Sequence, residues 1–485
     1  MTGGPGTARR RVVLAVATPV GATMAGPAIR AVELAGVLSE HHDVAVLSVA
    51  AHQAMHGREA LPESKEALPE SEEALPEEVL TGDGTPVRVL RAHVPAQVAA
   101  LTAGADVLVA SADVGALHPQ ALPGVGHVVA DLYDPFHLEV LERTRGQDPA
   151  GRDSAVAGAM RSLTAVLRTA DWVVCANPAQ RALWIGHLAA LGRLSTAGYE
   201  ADPTLRDLVD EVPFGLPARP PAPAPAPVLR GVLAGVEPDA EVVLWGGGIY
   251  DWLDPVTAVR AMGIVSRRRP RARLVFLGGA HPDRTVSRSR AATRAHEEAG
   301  RLGVLDRSVV FHPGWVPYAE RGGWLLEADV ALSLHLDHLE TTFSHRTRIL
   351  DCLWAGLPVV ATGGDPAALL LERTGAGLTV PAGSAGAAAA AIERLLDDGA
   401  AARSAARAAA AGLTWKAVAE PLVAYCADPH RALDLRGARR ARTHREVRRL
   451  LLPSVPDRAL RLARSIATEG AGPLREAAAR RLSNR

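Results

Sequence analysis

The sequence predicts an α/β protein with two doubly wound parallel-sheet domains and a basic helical C-terminal tail. Three observations carry this reading. The chain has 485 residues, more than one hydrophobic core serves, so two domains are expected. Short β-branched runs alternate with segments of helical spacing in two separate series, the pattern of parallel sheets covered by helices. Between the series lies a Pro/Ala tract, Ala218–Pro227, which must be extended and fairly stiff and marks a domain boundary.

Taken in order, Val12–Ala17 is the first strand, followed by a glycine-bearing loop over 20–27. A helix over Ala28–Ser39 (Ile29, Val32, Leu34, Leu38) and a strand over Val44–Val49 come next. The loop has no G-x-G-x-x-G, so it carries no dinucleotide fingerprint. Residues 59–78 repeat Ala-Leu-Pro-Glu-Ser-(Lys/Glu)-Glu from Ala60, Ala67 and Ala74. A Pro in each unit breaks any helix and the acids repel one another, so 55–80 reads as a disordered insertion. Strands resume at Asp106–Ala110, His127–Ala130 and Trp172–Ala176. The second series runs Glu241–Trp245, Arg273–Leu277, Ser308–Phe311, Val330–Ser333, Pro358–Thr362 and Gly377–Val380. The expected domains are therefore 10–215 and 229–412, joined by a linker over 216–228. A closing helix covers 413–427 and a basic extension 428–485.

The formal net charge is zero, so no global field draws the chain to nucleic acid. Cys175, Cys352 and Cys426 are far apart and lack metal-ligand spacing, which fits a reducing cytoplasm. No apolar run approaches the length that spans a bilayer. Arg9-Arg10-Arg11 before Val12–Ala17 has the layout of a signal peptide, but the run stops at Thr18-Pro19 and reads as a buried strand. From residue 430 onward the tail holds 15 Arg against two Asp and three Glu, about +10. Arg among Leu and Ala at helical spacing suits peripheral contact with an anionic membrane; a solvated helix pair is the other reading.

Two features point to an anion site. Ser344-His345-Arg346-Thr347-Arg348 opens a helix-period segment that ends at Gly356-Leu357-Pro358. Unpaired N–H groups and the dipole at a helix start favour a phosphate, and Arg grips its oxygens bidentately. Two residues apart on a helix face different ways, so one of Arg346 and Arg348 is the main contact and His345 is secondary. Gly246-Gly247-Gly248, Gly278-Gly279 and Gly363-Gly364 all fall at strand ends, where ligands of such sheets gather.

Several segments together resemble a GT-B fold glycosyltransferase, most closely family 4, over roughly residues 10–427. They are Gly26-Pro27-Ala28-Ile29-Arg30, Asp131-Leu132-Tyr133-Asp134-Pro135, Val212-Pro213-Phe214-Gly215-Leu216 and Ala355-Gly356-Leu357-Pro358-Val359-Val360. The resemblance implies two Rossmann-like domains facing a cleft, a nucleotide-diphosphate sugar donor and no cofactor. Metal is not required. It further implies transfer with retention by a front-face mechanism, in which domain closure excludes water and the leaving phosphate helps to deprotonate the acceptor. Asp351 matches the acid that binds the nucleotide ribose. Gly21, Gly26, Arg30 and Asn177 fall on the acceptor side, where Asp131 or Asp134 would orient the acceptor hydroxyl; a loop-capping Asp before Pro is the other reading.

Two departures stand out. Phe343 occupies the position of the family's first acid, and Glu340 is out of register by three. The loop Gly246–Asp254 lacks the cations that normally grip the diphosphate. His345, Arg346 and Arg348 are the natural replacements, and Ala at either Arg is expected to lower turnover at least about tenfold with the fold intact. The expected activity is transfer to a polysaccharide, glycolipid or secondary metabolite, in cell-surface polysaccharide synthesis for example. Two alternatives stay open: an inert GT-B scaffold for a partner transferase, and a nucleotide-sugar epimerase.

Overall fold

The computed structural model describes residues 9–49, 77–111, 114, 124–279, 289–436, 443 and 446. Strands of the first domain are β1 (Arg11–Val16), β2 (Asp43–Val49), β3 (Glu77–Leu80), β4 (Pro86–Ala92), β5 (Val107–Ser111), β6 (His127–Asp131), β7 (Trp172–Cys175) and β8 (Val209–Glu211). They line up as β3-β4-β2-β1-β5-β6-β7-β8, parallel throughout except for the edge hairpin β3–β4. The second domain has β9 (Glu241–Trp245), β10 (Ala272–Phe276), β11 (Val309–Phe311), β12 (Val330–Ser333), β13 (Val359–Thr362) and β14 (Gly377–Val380). Their order is β11-β10-β9-β12-β13-β14, all parallel. Helices cover both faces, and strands such as Val242–Trp245 are buried along their length, as a sheet packed on two sides requires.

Strand order reverses between β1 and β5 in one sheet and between β9 and β12 in the other. Such a switch point opens a crevice outside the carboxyl ends of the strands. Loops from those ends meet across the domain boundary. Tyr318 N donates to Ala22 O at 2.9 Å, and Trp315 Nε1 to Met24 O at 3.2 Å. Gln180 Nε2 reaches Phe343 O at 2.7 Å.

One boundary moves. Glu77–Leu80, assigned above to the insertion, is strand β3, paired antiparallel with β4. The last repeat proline is Pro76, and beyond it Thr81-Gly82-Asp83-Gly84 makes the turn, with Gly84 at φ +84°. Residues 59–76 of the repeat lie outside the described residues.

The Pro-rich linker is fastened where it still has N–H groups to offer. Asp83 accepts from Ala218 N and Arg219 N at 3.0 and 2.9 Å. Glu327 accepts from Val228, Leu229 and Arg230 N at 2.7, 3.0 and 3.1 Å. The closing segment is two helices, Trp415–Val418 and Glu420–Ala427, with Pro421 in the first turn of the second, where its missing N–H costs nothing. It returns to the first domain, where Tyr425 stacks on Trp172 with ring centroids 4.6 Å apart. Asp434 then pairs with Arg193, both 3% exposed. The rest of the tail, apart from 443 and 446, lies outside the described residues. Among those described, no helix is long and apolar enough to cross a membrane.

Candidate active site

The glycine loops after β9 and β10 pack backbone against backbone. Gly247 and Gly278 have φ of +106° and +80°. A Cβ on Gly278 would lie 2.9 Å from Gly247 C, and one on Gly279 would lie 2.4 Å from His312 O. Side chains are excluded from this junction. At Gly246 and Gly247 a Cβ would meet nothing within 4 Å, so that stretch of backbone is open.

A cation does reach the loop, from another element. Helix Thr347–Ala355 presents Arg348, whose Nη2 donates to Gly248 O at 3.0 Å while the guanidinium lies 5.3 Å from the Trp245 ring centroid. Its Nη1 is buried with no partner among the described residues. Burial pushes the group down to about 10, against the pull of the nearby Tyr250 hydroxyl, so it remains a cation at neutral pH.

Arg346, two residues earlier, is differently placed. Its Nη1 and Nη2 donate to Glu340 Oε1 and Oε2 at 3.0 and 2.7 Å, in a pair almost sealed from solvent. Its Nε lies 3.6 Å from Asp365 Oδ2, which also meets His335 Nε2 at 3.2 Å. Burial alone would raise the Asp365 pKa, but the His335 bond, the Arg346 charge and the Ala368 amide hold it below the usual range. Arg346 is thus paired with two carboxylates, by hydrogen bonds to Glu340 and by charge alone to Asp365, and its guanidinium organises the helix start. Phe343 contributes its carbonyl to Gln180, and the acid that lies against Arg346 is Glu340.

His345 Nε2 is buried without a partner, and burial followed by the Arg30 charge pushes its pKa down to about 4, so it is neutral. Ser344 is buried; its Oγ donates to Thr341 O at 3.0 Å and its carbonyl accepts from Asn177 Nδ2 at 3.3 Å. Asn177 also caps helix Pro178–Ala190, so it is a strut between the domains. Asp351 lies one turn into helix Thr347–Ala355, with Oδ1 3.2 Å from Arg321 Nε.

On the first-domain side, Arg30 and Asp131 form one buried pair at 2.7 Å. Arg30 also donates to Pro213 O and Val212 O at 2.9 and 2.8 Å, bracing the crossover into the second domain. Asp131 Oδ1 is left buried with no partner. Gly26 starts its helix against Tyr133, whose hydroxyl would lie 2.8 Å from an added Cβ, and Gly21 has open space. Asp134 is half-buried next to an acid that the sequence reading passed over, Glu139. Burial, then Asp134 and Glu340, push the Glu139 carboxyl well above the usual range, against the pull of Arg346. An acid in the first turn of helix Phe136–Arg143, just beyond the Asp131–Pro135 loop, was the available signal.

The site therefore joins an open glycine backbone, an incompletely satisfied Arg348 and acids from both domains. Residues 240–398, spanning β9 to β14 with Gly246–Gly248, Arg348 and Asp351, match the family model described as glycosyl transferases group 1. The second domain is a group 1 glycosyl transferase domain. No curated protein matches the chain. Among solved structures, the sucrose-phosphate synthase of Thermosynechococcus elongatus superposes with a TM-score of 0.55 at 17% identity, covering 85% of this chain and 97% of its own. Anabaena HepE in complex with UDP-glucose gives 0.55 at 14% identity, over 86% and 98%. The trehalose 6-phosphate synthase of Burkholderia multivorans gives 0.51 at 12% identity, over 86% and 96%. These likenesses extend across both domains, and the architecture is GT-B. In the group 1 domain, the crevice at the β9/β12 switch point is bordered by Gly246–Gly248 and reached by Arg348.

Proposed function

We propose that the protein transfers a sugar from a nucleoside-diphosphate sugar to a saccharide or lipid-linked acceptor. The observation that carries this is Arg348 on the open Gly246–Gly248 loop, with one nitrogen unpartnered. A diphosphate there meets backbone N–H groups and a fixed cation in a half-buried setting, where charge stabilisation is strong. Asp351 takes the ribose hydroxyls. The acceptor oxygen bonds to the anomeric carbon as the carbon–oxygen bond to the diphosphate breaks. The electron pair leaves with the diphosphate, and the acceptor proton passes to a phosphate oxygen on the same face, which retains configuration. UDP-glucose bound to HepE, a structure of the same fold, supports this donor class. The basic tail suits a cytoplasmic enzyme resting on an anionic membrane surface, which fits a lipid-linked acceptor.

The deciding experiment is a thermal-shift panel of UDP, GDP, dTDP and ADP with their common sugar derivatives, on wild type and Arg348→Ala. Stabilisation by one nucleotide family that disappears in the variant is the expected result. No shift with any nucleotide, or an undiminished one in the variant, overturns the assignment.

A further inference from the structure

Arg321 lies in an aromatic clamp, its guanidinium 3.6 Å from the Tyr318 ring centroid and 4.7 Å from that of Trp354. Its Nη1 donates to Tyr318 O at 2.8 Å, and its Nε takes Asp351 Oδ1 at 3.2 Å. Among the described residues, Asp351 Oδ2 has no hydrogen-bond partner. Burial works against the charge on Arg321, but Asp351 and Tyr318 outweigh it and hold the group above its ordinary value.

Both walls of the clamp are fastened outside the second domain. The Tyr318 hydroxyl donates to Glu33 Oε1 at 2.7 Å, on helix Gly26–Ser39 of the first domain. The Gly82 amide donates to the same oxygen at 2.5 Å. Trp354 Nε1 donates to Arg219 O of the linker at 2.7 Å. A chain of contacts thus runs from Glu33 through Tyr318 and Arg321 to Asp351.

We propose that Arg321 is the positioning residue for Asp351, and that its clamp makes ribose recognition depend on the contact between the domains. This rests on the assignment of Asp351 to the ribose. Arg321 holds one carboxylate oxygen and so aims the other, and a carboxylate fixed beforehand loses little freedom when a ribose hydroxyl arrives. The Tyr318–Glu33 bond keeps the clamp in register with the first domain.

The test is calorimetric titration with the nucleoside diphosphate that wild type prefers among UDP, GDP, dTDP and ADP, and with its 2′,3′-dideoxy analogue. The ratio of the two dissociation constants reads ribose recognition. A wild-type ratio of at least about ten is expected, from hydrogen bonds to a charged group. Arg321→Met keeps a stem in the clamp and removes the charge; its ratio falls at least about fivefold, and Arg321→Lys restores part of it. Tyr318→Phe keeps the ring and removes the hydroxyl, and its ratio falls about threefold. If Arg321→Met weakens both ligands equally, or neither, Arg321 does not position Asp351. A wild-type ratio in Tyr318→Phe overturns the link to the first domain. Wild-type discrimination that survives in Asp351→Asn removes the ribose assignment itself, whatever the Arg321 variants do.

Discussion

Arg346 and Glu340, six residues apart, form a two-bonded ion pair with side chains 6% and 1% exposed. The pair ties the short helix Leu339–Phe343 to the start of helix Thr347–Ala355, so stability at this point rests on charge. Removing one partner strands the other in a dry site, which costs about 3–5 kcal/mol. Arg346→Met and Glu340→Gln are each expected to lose that much in urea unfolding, and the double variant less than the sum. This sets Arg346 apart from Arg348: Ala at Arg346 carries a stability cost as well as any loss of turnover.

Arg348 has one bond to a carbonyl and an unpartnered nitrogen, so the fold depends on it less. Arg348→Met is expected to lower kcat/KM at least about tenfold with an unfolding midpoint near wild type, the pattern left by loss of a charge-stabilising donor. Arg348→Lys recovers little, because a point charge does not reproduce the fork. Steady-state kinetics beside thermal denaturation checks both.

Gly278→Ala would force a residue at φ +80° to carry a Cβ 2.9 Å from Gly247 C. The strain is about 1–3 kcal/mol and is relieved by moving the glycine loop away from Arg348. Weaker nucleotide binding is expected, with little change from the matching substitution at Gly300, an exposed helix position outside the site where a Cβ meets nothing within 4 Å. Titration of the two variants with the preferred nucleoside diphosphate compares them directly.

Glu139 gives a pH signature. Its folded pKa is raised, so the folded form holds the proton more tightly than the unfolded chain. The stability this provides is fully present below the ordinary Glu value and is lost as pH rises through the raised one. Glu139→Gln removes the titration, so its midpoint falls less than that of wild type between pH 4 and pH 8. Identical slopes in the two proteins would contradict the burial described here.

The tail divides at Arg436. A chain ending there keeps the Arg193–Asp434 and Arg431–Asp171 pairs. It should unfold like the full protein, and should lose any sedimentation with anionic vesicles that the full chain has. Ending at Asp428 leaves Arg193 buried without its acid, at about 3–5 kcal/mol.

Much of this architecture was legible in the sequence. β9 and β12 begin and end where the periodicity places them, because a strand buried on both faces is written as an apolar run; β14, a half-exposed edge strand, keeps its bounds between Gly377 and the turn after Val380. β4 was missed: Pro86-Val87-Arg88-Val89-Leu90-Arg91-Ala92 alternates apolar and basic residues beside a Pro-rich repeat. At the site, the glycine loops and Arg348 were visible as chemistry but not as neighbours; 100 residues separate Arg348 from Gly248. Glu340 was set aside by counting along the chain. A five-residue helix followed by an extended Ser344 carries it back beneath Arg346, and a linear register cannot express that turn. The Arg30–Asp131 pair was invisible for the same reason: 101 residues apart in the chain, the two meet only once the sheet has set β1 and β6 on either side of β5.

Asn177 and Gln180 of the first domain hold the carbonyls of Ser344 and Phe343, the two residues that lead into the helix bearing Arg348 and Asp351. The second domain therefore borrows the shape of this helix start from the first. Cut away at the linker, it would retain its sheet but not a finished pocket. In the whole chain, separating the halves would free the Phe343 and Ser344 carbonyls, and with them the start of the helix that bears Arg348 and Asp351.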